Sequence, residues 1–142
     1  MQSVRRGVTT NQTTAIRLLI AGIAFGASAC GGNNVIGPEN QLEVTNVPDS
    51  FEWQVTALDN VSQTFTYAWG NTGTAANVNQ SSALASGTAS LRITDAGGVE
   101  VYSRSLSEDG TFVTGSGMAG TWTVTVTLED VDGTLNFRLE KP

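Results

Sequence analysis

The chain has 142 residues, with seven Lys and Arg against 13 Asp and Glu, for a net charge of −6. It has no histidine and one cysteine, which excludes Ser-His-Asp and Cys-His nucleophile systems, His-ligated metal sites and any internal disulfide. Arg5, Arg6 and Arg17 precede Cys30 and every acidic residue follows it; from Cys30 onward, four basic residues stand against thirteen acidic ones, a balance of −9, and such a surface repels a phosphate backbone and argues against nucleic acid as a partner.

In chain order, the three arginines form a positive leading region. The Arg5-Arg6 pair lacks the residues that accompany it in twin-arginine signals and is read as charge only. "LLIAGIAFGA", Leu18 to Ala27, follows as ten apolar or small residues. A span of the bilayer needs about 20, so the run is read as the hydrophobic region of a signal peptide. Ala27-Ser28-Ala29 then puts small side chains at the −3 and −1 positions of a cleavage site before Cys30.

The stretch Ala27-Ser28-Ala29-Cys30-Gly31 resembles the lipobox of bacterial lipoproteins, with Ala27 where that family usually has leucine. The resemblance covers the export segment alone. It implies that Cys30 becomes a lipidated N-terminus, and Gly31, in place of the aspartate that retains such proteins at an inner membrane, implies outer-membrane sorting. The same residues fit an ordinary A-x-A site, and both readings cut between Ala29 and Cys30; they differ in whether the product is anchored or soluble. A thiol at that position with no partner cysteine favours the lipid. "GGNNVIGPEN", Gly31 to Asn40, reads as a flexible tether. The expected organisation is a signal peptide over 1–29, the lipidated cysteine and tether over 30–40, and a folded domain over 41–142.

From Gln41 onward the period is two. "FEWQVTAL" sets Phe51, Trp53, Val55 and Ala57 on one face. "TFTYAWG" aligns Phe65, Tyr67 and Trp69; "ASLRITD" pairs Leu91 with Ile93, and "VEVYS" pairs Val99 with Val101. "TWTVTVTLED" aligns Trp122, Val124, Val126 and Leu128 against threonines, and "TLNFRLE" aligns Leu135, Phe137 and Leu139. Each run predicts a strand with one buried face, and shorter strands are expected at 42–47, 75–80 and 111–114. Gly-Thr recurs at 73–74, 87–88, 110–111, 120–121 and 133–134; glycine suits the turn and β-branched threonine the strand after it. Asp95 to Gly98 and Asp130 to Gly133 read as hairpin turns.

Eight or nine short antiparallel strands in about 100 residues predict an all-β, jelly-roll-like β-sandwich. Its large core members are expected to be Trp53, Phe65, Tyr67, Trp69, Trp122 and Phe137. Over residues 87–141, "SLRITDAGGVEVYS" and "GMAGTWTVTVTLEDVDGTLNFRLEK" resemble the strand, D-x-x-G turn, strand, G-x-W-x-V-x-V layout of pre-peptidase C-terminal domains. That likeness implies a secreted accessory sandwich without catalytic residues.

Three groups of side chains are candidates for chemistry. The row of Phe65, Tyr67 and Trp69 either fills the core or offers rings to a sugar; Phe65 and Tyr67 are assigned to the core, and Trp69, at the strand end before Gly70-Asn71-Thr72-Gly73, is the candidate for ligand stacking. Glu129, Asp130 and Asp132, and Glu108-Asp109, supply hard oxygens of the kind calcium takes. The calcium-loop pattern is absent, acidic residues commonly form turns, and no metal is expected; Asp130 and Asp132 are the residues that would serve one. Asp95, Glu100, Asp109 and Asp132 are available as a glycosidase-type pair, but nothing in their spacing brings two together. The chain is therefore expected to be a non-catalytic envelope module without a cofactor. Its expected partners are the membrane, through Cys30, and an extracellular glycan or envelope protein. A purely structural role is the alternative and a small hydrolase the third reading.

Overall fold

The computed structural model describes residues 35–142. The expected signal peptide, Cys30 and the first part of the expected tether lie outside the described residues. The rest of the tether belongs to the domain. Ile36 packs against the core and its N–H donates to Gln63 Oε1 at 2.9 Å. Pro38–Asn40 forms one 3₁₀ turn, and Asn40, almost wholly buried, donates from Nδ2 to the carbonyls of Thr56 and Ala57 at 3.2 and 2.8 Å. A buried amide with two backbone acceptors holds a chain in place, so the folded unit includes residues 36–40.

Seven strands follow among the described residues: β1 Glu43–Val47, β2 Ser50–Asn71, β3 Asn77–Gln80, β4 Ala83–Thr94, β5 Glu100–Ser105, β6 Gly110–Val113 and β7 Gly120–Glu140. All pairings are antiparallel. All nine predicted strand stretches are extended, but two pairs of them fuse. "FEWQVTAL" and "TFTYAWG" are halves of β2; "TWTVTVTLED" and "TLNFRLE" are halves of β7. Asp130 to Gly133 is therefore not a hairpin turn. A hairpin would bring 134–140 back against 121–129, whereas both halves of β7 stay paired with β2, from Asn71↔Gly120 to Ser50↔Glu140. The Asp95–Gly98 turn does form, closed by Asp95 N–H to Val99 O and Gly98 N–H to Asp95 O at 2.8 and 3.0 Å.

The two long strands pass through both layers of a sandwich. One layer runs β1, the first half of β2, the second half of β7, β3 and β6; the other holds the second half of β2, the first half of β7, β4 and β5. The sheet turns over on itself in the middle of β2. Pairing there slips between Val55 and Leu58, Leu58 and Val61, and Val61 and Gln63, and β4 slips at the same level, around Ser86. Ala57, Asn60 and Asp130 have φ of 50°, 52° and 49°, and Gly87 and Gly133 have φ of 78° and 133°. Bulges of this kind bend a strand and raise its twist, which is how a strand changes sheet at a corner. The fold-over brings the ends of β2 together, with Asp49 N–H on Gly70 O at 2.8 Å.

The bulges also reset which residues face inward. Ala57, expected on the core face, is exposed, and Leu58 takes the buried place. A slip between Ile93 and Thr94 does the same for β5: Val99 is 62% exposed, Val101 is half-buried and Tyr102 enters the core. Elsewhere the period-two reading holds. Trp53, Trp69 and Trp122 are fully buried, Phe51, Trp53 and Phe137 stack at 5.6–5.9 Å between ring centres, and Phe65 and Tyr67 pack half-buried against them. Trp53 Nε1 donates to the Tyr67 hydroxyl across the layers at 3.0 Å.

At the corner a Cβ on Gly133 would lie 2.2 Å from Ala83 O, and one on Gly87 would lie 2.2 Å from Asp130 O. Backbone cannot move aside as a side-chain tip can, and both φ values are unfavourable for an L side chain. Gly133→Ala and Gly87→Ala are each expected to destabilise by ~2–4 kcal/mol, read from urea unfolding. A surface control, Ser103→Ala, is expected to change stability by less than about 0.5 kcal/mol.

Candidate functional site

Trp69 does not offer a ring to a ligand. It lies in the core, edge to face with Trp122 at 5.9 Å, and its Nε1 donates to Val47 O at 3.2 Å. The sequence expectation of exposure came from its place at a strand end. The fold-over puts the end of β1 and the 48–49 turn across that end, and Asn46 Nδ2 reaches Ala68 O there at 2.9 Å.

The acidic candidates work on the backbone. Asp132 Oδ1 accepts from Asn60 N–H at 2.6 Å and its other oxygen from the Ser86 hydroxyl, so one carboxylate ties β2 and β4 to the corner of β7. Asp130 Oδ1 accepts from Ser62 Oγ at 3.0 Å, while Ser62 Oγ in turn accepts from Asp130 N–H. Asp109 accepts from Ser82 N–H at 2.8 Å. Glu100 pairs with Arg92 at 2.6 Å, and Glu108 with Arg104. No three Asp, Glu, Cys or His side chains converge among the described residues, and the calcium candidates Asp130 and Asp132 are turned to these partners.

Asp95 is the most fully engaged acid. Its Oδ1 accepts from Gly97 N–H and Val99 N–H at 2.9 and 2.8 Å, and its Oδ2 from Met118 N–H at 2.8 Å. The side chain clamps the β4–β5 turn to the segment before β7. The Met118 and Val99 amides hold its carboxyl below the ordinary aspartate value of 3.8, outweighing desolvation. Asp49 is lowered likewise, chiefly by Thr72, and Asp132 by Ser86 and Asn60.

Gln80 and Tyr102 form a buried polar pair that the sequence reading did not single out. The Tyr102 hydroxyl donates to Gln80 Oε1 at 2.7 Å, and Gln80 Nε2 donates to the carbonyls of Ser105 and Glu108 at 2.9 and 2.6 Å. Burial pushes the Tyr102 phenol up to about 12. The network fastens the turn between β5 and β6 to β3, and every one of its polar atoms is engaged. Its work is structural.

What remains is the outer face of the first layer. The registers Thr45↔Glu52, Glu52↔Arg138, Arg138↔Asn79 and Asn79↔Thr111 draw one row of outward side chains across five strands. Glu43, Gln54 and Asn136 form the next row. Arg138 Nη2 meets Glu52 Oε1 at 2.5 Å and its Nη1 lies 3.7 Å from Glu140 Oε1; Asn136 Nδ2 donates to Gln54 Oε1 at 2.9 Å and Asn79 Nδ2 to Thr111 Oγ1 at 3.0 Å. Two shallow grooves flank Asn136 and Arg138, one toward β1 and one toward β3. The face presents a half-exposed guanidinium, carboxylates and amides in fixed positions, suited to polar contact with a flat partner. Gln54 and Glu52 were legible as outward residues of "FEWQ"; their conjunction with Arg138 and Asn79 was not, because strand register is a tertiary property.

A scan against protein-family models and a search of curated proteins give no match to the chain. The fold itself defines the class: an all-β, antiparallel, sandwich-like domain.

A carboxylate whose folded value is depressed contributes stability that is present above its unfolded value and lost as pH falls through the folded one. Asp95→Asn is therefore expected to lower the urea midpoint at pH 7, with the gap from the parent protein narrowing as the pH is taken below 3.8. A gap that stays constant with pH would show that charge on Asp95 is not what holds the turn. Trp69→Ala is expected to destabilise by ~3–5 kcal/mol, measured by the same unfolding curves.

Proposed function

We propose that this chain is an exported, lipid-anchored β-sandwich of the cell envelope that acts by contact with another envelope protein and not by catalysis. The export segment and the lipobox-like Ala27-Ser28-Ala29-Cys30 support the address. The observation that carries the contact reading is the polar row Thr45, Glu52, Arg138, Asn79 and Thr111 on a sheet face that no other described element covers. The tryptophans that would stack on a sugar are in the core, which favours protein over glycan as the partner. The acids that would serve a hydrolase are spent on turns and ion pairs. Rim charges of this kind set orientation and specificity more than affinity, which suits recognition by a neighbour held in the same envelope.

The buried tryptophans equally favour the second reading, a structural component with no partner-specific surface. Site-specific photocrosslinking separates the two. A crosslinker at Gln54 is expected to give one discrete protein adduct in cells, lost on Arg138→Glu; a uniform smear or no adduct would favour the structural role. A glycan array on residues 35–142 is expected to be blank, and a hit abolished by Arg138→Glu would make glycan the partner. Intact-mass measurement of membrane-extracted protein is expected to show a diacyl or triacyl Cys30; an unmodified N-terminal cysteine would remove the anchor.

A further inference from the structure

We infer that the anchor holds the sandwich corner-down over the bilayer, so that the corner faces the lipid headgroups and the opposite loops point away. The inference rests on the proposed lipid at Cys30 and adds the direction in which the domain is presented.

Chain length sets the distance. Ile36 is fixed to Gln63 at the corner end of the second half of β2, and Asn40 is fixed to the corner residues Thr56 and Ala57. Six residue steps separate Cys30 from Ile36, and whatever path they take they reach at most ~22 Å. The expected tether of ten residues after Cys30 would have allowed the domain to sit in any direction. With its last five residues bound into the fold, the point of attachment is the corner. From Gln63 the second half of β2 runs eight residues to Asn71, about 26 Å at 3.3 Å each. The far end gathers Asp49, Asn71, Thr74, Asp95 and the 114–119 segment, joined through Asp49 N–H to Gly70 O, Gly117 N–H to Thr74 O and Ala96 N–H to Met118 O. That end lies farther from the lipid by the length of the sandwich.

Charge then decides how closely the corner approaches. Asp59, Glu129, Asp130 and Asp132 all lie at the corner. The four cations of the domain are engaged elsewhere: Arg92 with Glu100, Arg104 with Glu108, Arg138 with Glu52 and Lys141 with Asp49. An uncompensated acidic end is repelled by an anionic headgroup layer over the Debye length, about 10 Å at 0.1 M salt. The link keeps the corner within about 22 Å of the anchor, and its charge holds it off the headgroups within that reach. The sandwich stands on end, and the polar face with Arg138 rises beside the membrane, open to a lateral partner.

The test uses the lipidated protein as processed at Cys30, whose only native cysteine is blocked by thioether formation. Asp59→Cys, at the corner, and Ser116→Cys, at the far end, are each labelled with one fluorophore. The proteins are inserted into phosphatidylcholine vesicles containing headgroup-spin-labelled lipid. Quenching at position 59 is expected to exceed that at 116 several-fold, and to fall when a third of the lipid is phosphatidylglycerol at low salt and recover at high salt. Equal quenching at the two positions, or stronger quenching at 116, in protein whose mass shows the lipid would overturn the orientation and leave the anchor standing. No effect of phosphatidylglycerol would overturn the electrostatic stand-off. An unmodified Cys30 would overturn anchor and orientation together, and quenching that persists in Cys30→Ser would show that the corner binds lipid by itself, against the proposal.

Discussion

Every other feature of this domain depends on the corner where β2 and β7 fold over. Two strands of 22 and 21 residues are far longer than a small sandwich is tall, and a flat sheet of that length would leave its apolar face in water. Slips in register and four residues with positive φ, with Gly87 of β4 beside them, turn the pair over on itself. Once it turns, the inner faces of the same two strands meet. Trp53 lies against Phe65, Phe51 against Tyr67, and Trp69 is covered by the end of β1. Burial of this aromatic surface is the main favourable term, and it exists only because the corner exists.

Polar chemistry follows from the same constraint. A bent strand exposes backbone groups that a straight ladder would satisfy. The acids nearest the corner, Asp130 and Asp132, are recruited to Ser62, Asn60 and Ser86. Asp49 and Asp95 do the corresponding work at the opposite end, on Thr72 and on the 95–99 turn. Residues that looked available to a metal or a hydrolytic pair are thus committed to holding turns and bends, and the acidity of the domain is largely a structural resource. The surface left over is the outer face of the first layer, where strand register alone lines up Glu52, Arg138 and Asn79.

Much of this was legible beforehand. Alternation placed the inward residues of "FEWQV", "TWTVTVTL" and "TLNFRL" correctly, since a period of two is a local consequence of the pleat. The errors share one cause. Ala57 and Leu58 exchange places, Val99 is exposed in favour of Tyr102, and Asp130–Gly133 is a bulge within a strand and not a turn between strands. In each case one extra residue in the ladder shifts the phase, and a bulge uses the same Gly, Asn and Asp as a turn. Trp69 was misjudged for a different reason: being at the end of a strand says nothing about what crosses over it.

By itself the sequence determined most inward positions of the long strands, the all-β class, the exclusion of histidine-based and disulfide chemistry, and the sharp division of charge at Cys30, because these depend on residue type and nearest neighbours. Tertiary structure decided that nine extended stretches make seven strands, that Ile36 and Asn40 belong to the domain, that the acids are spent on the backbone, and that Glu52, Arg138 and Asn79 share a row. Those facts turn on pairings between residues as distant as Glu52 and Arg138, and no local pattern encodes which strand a residue will lie beside.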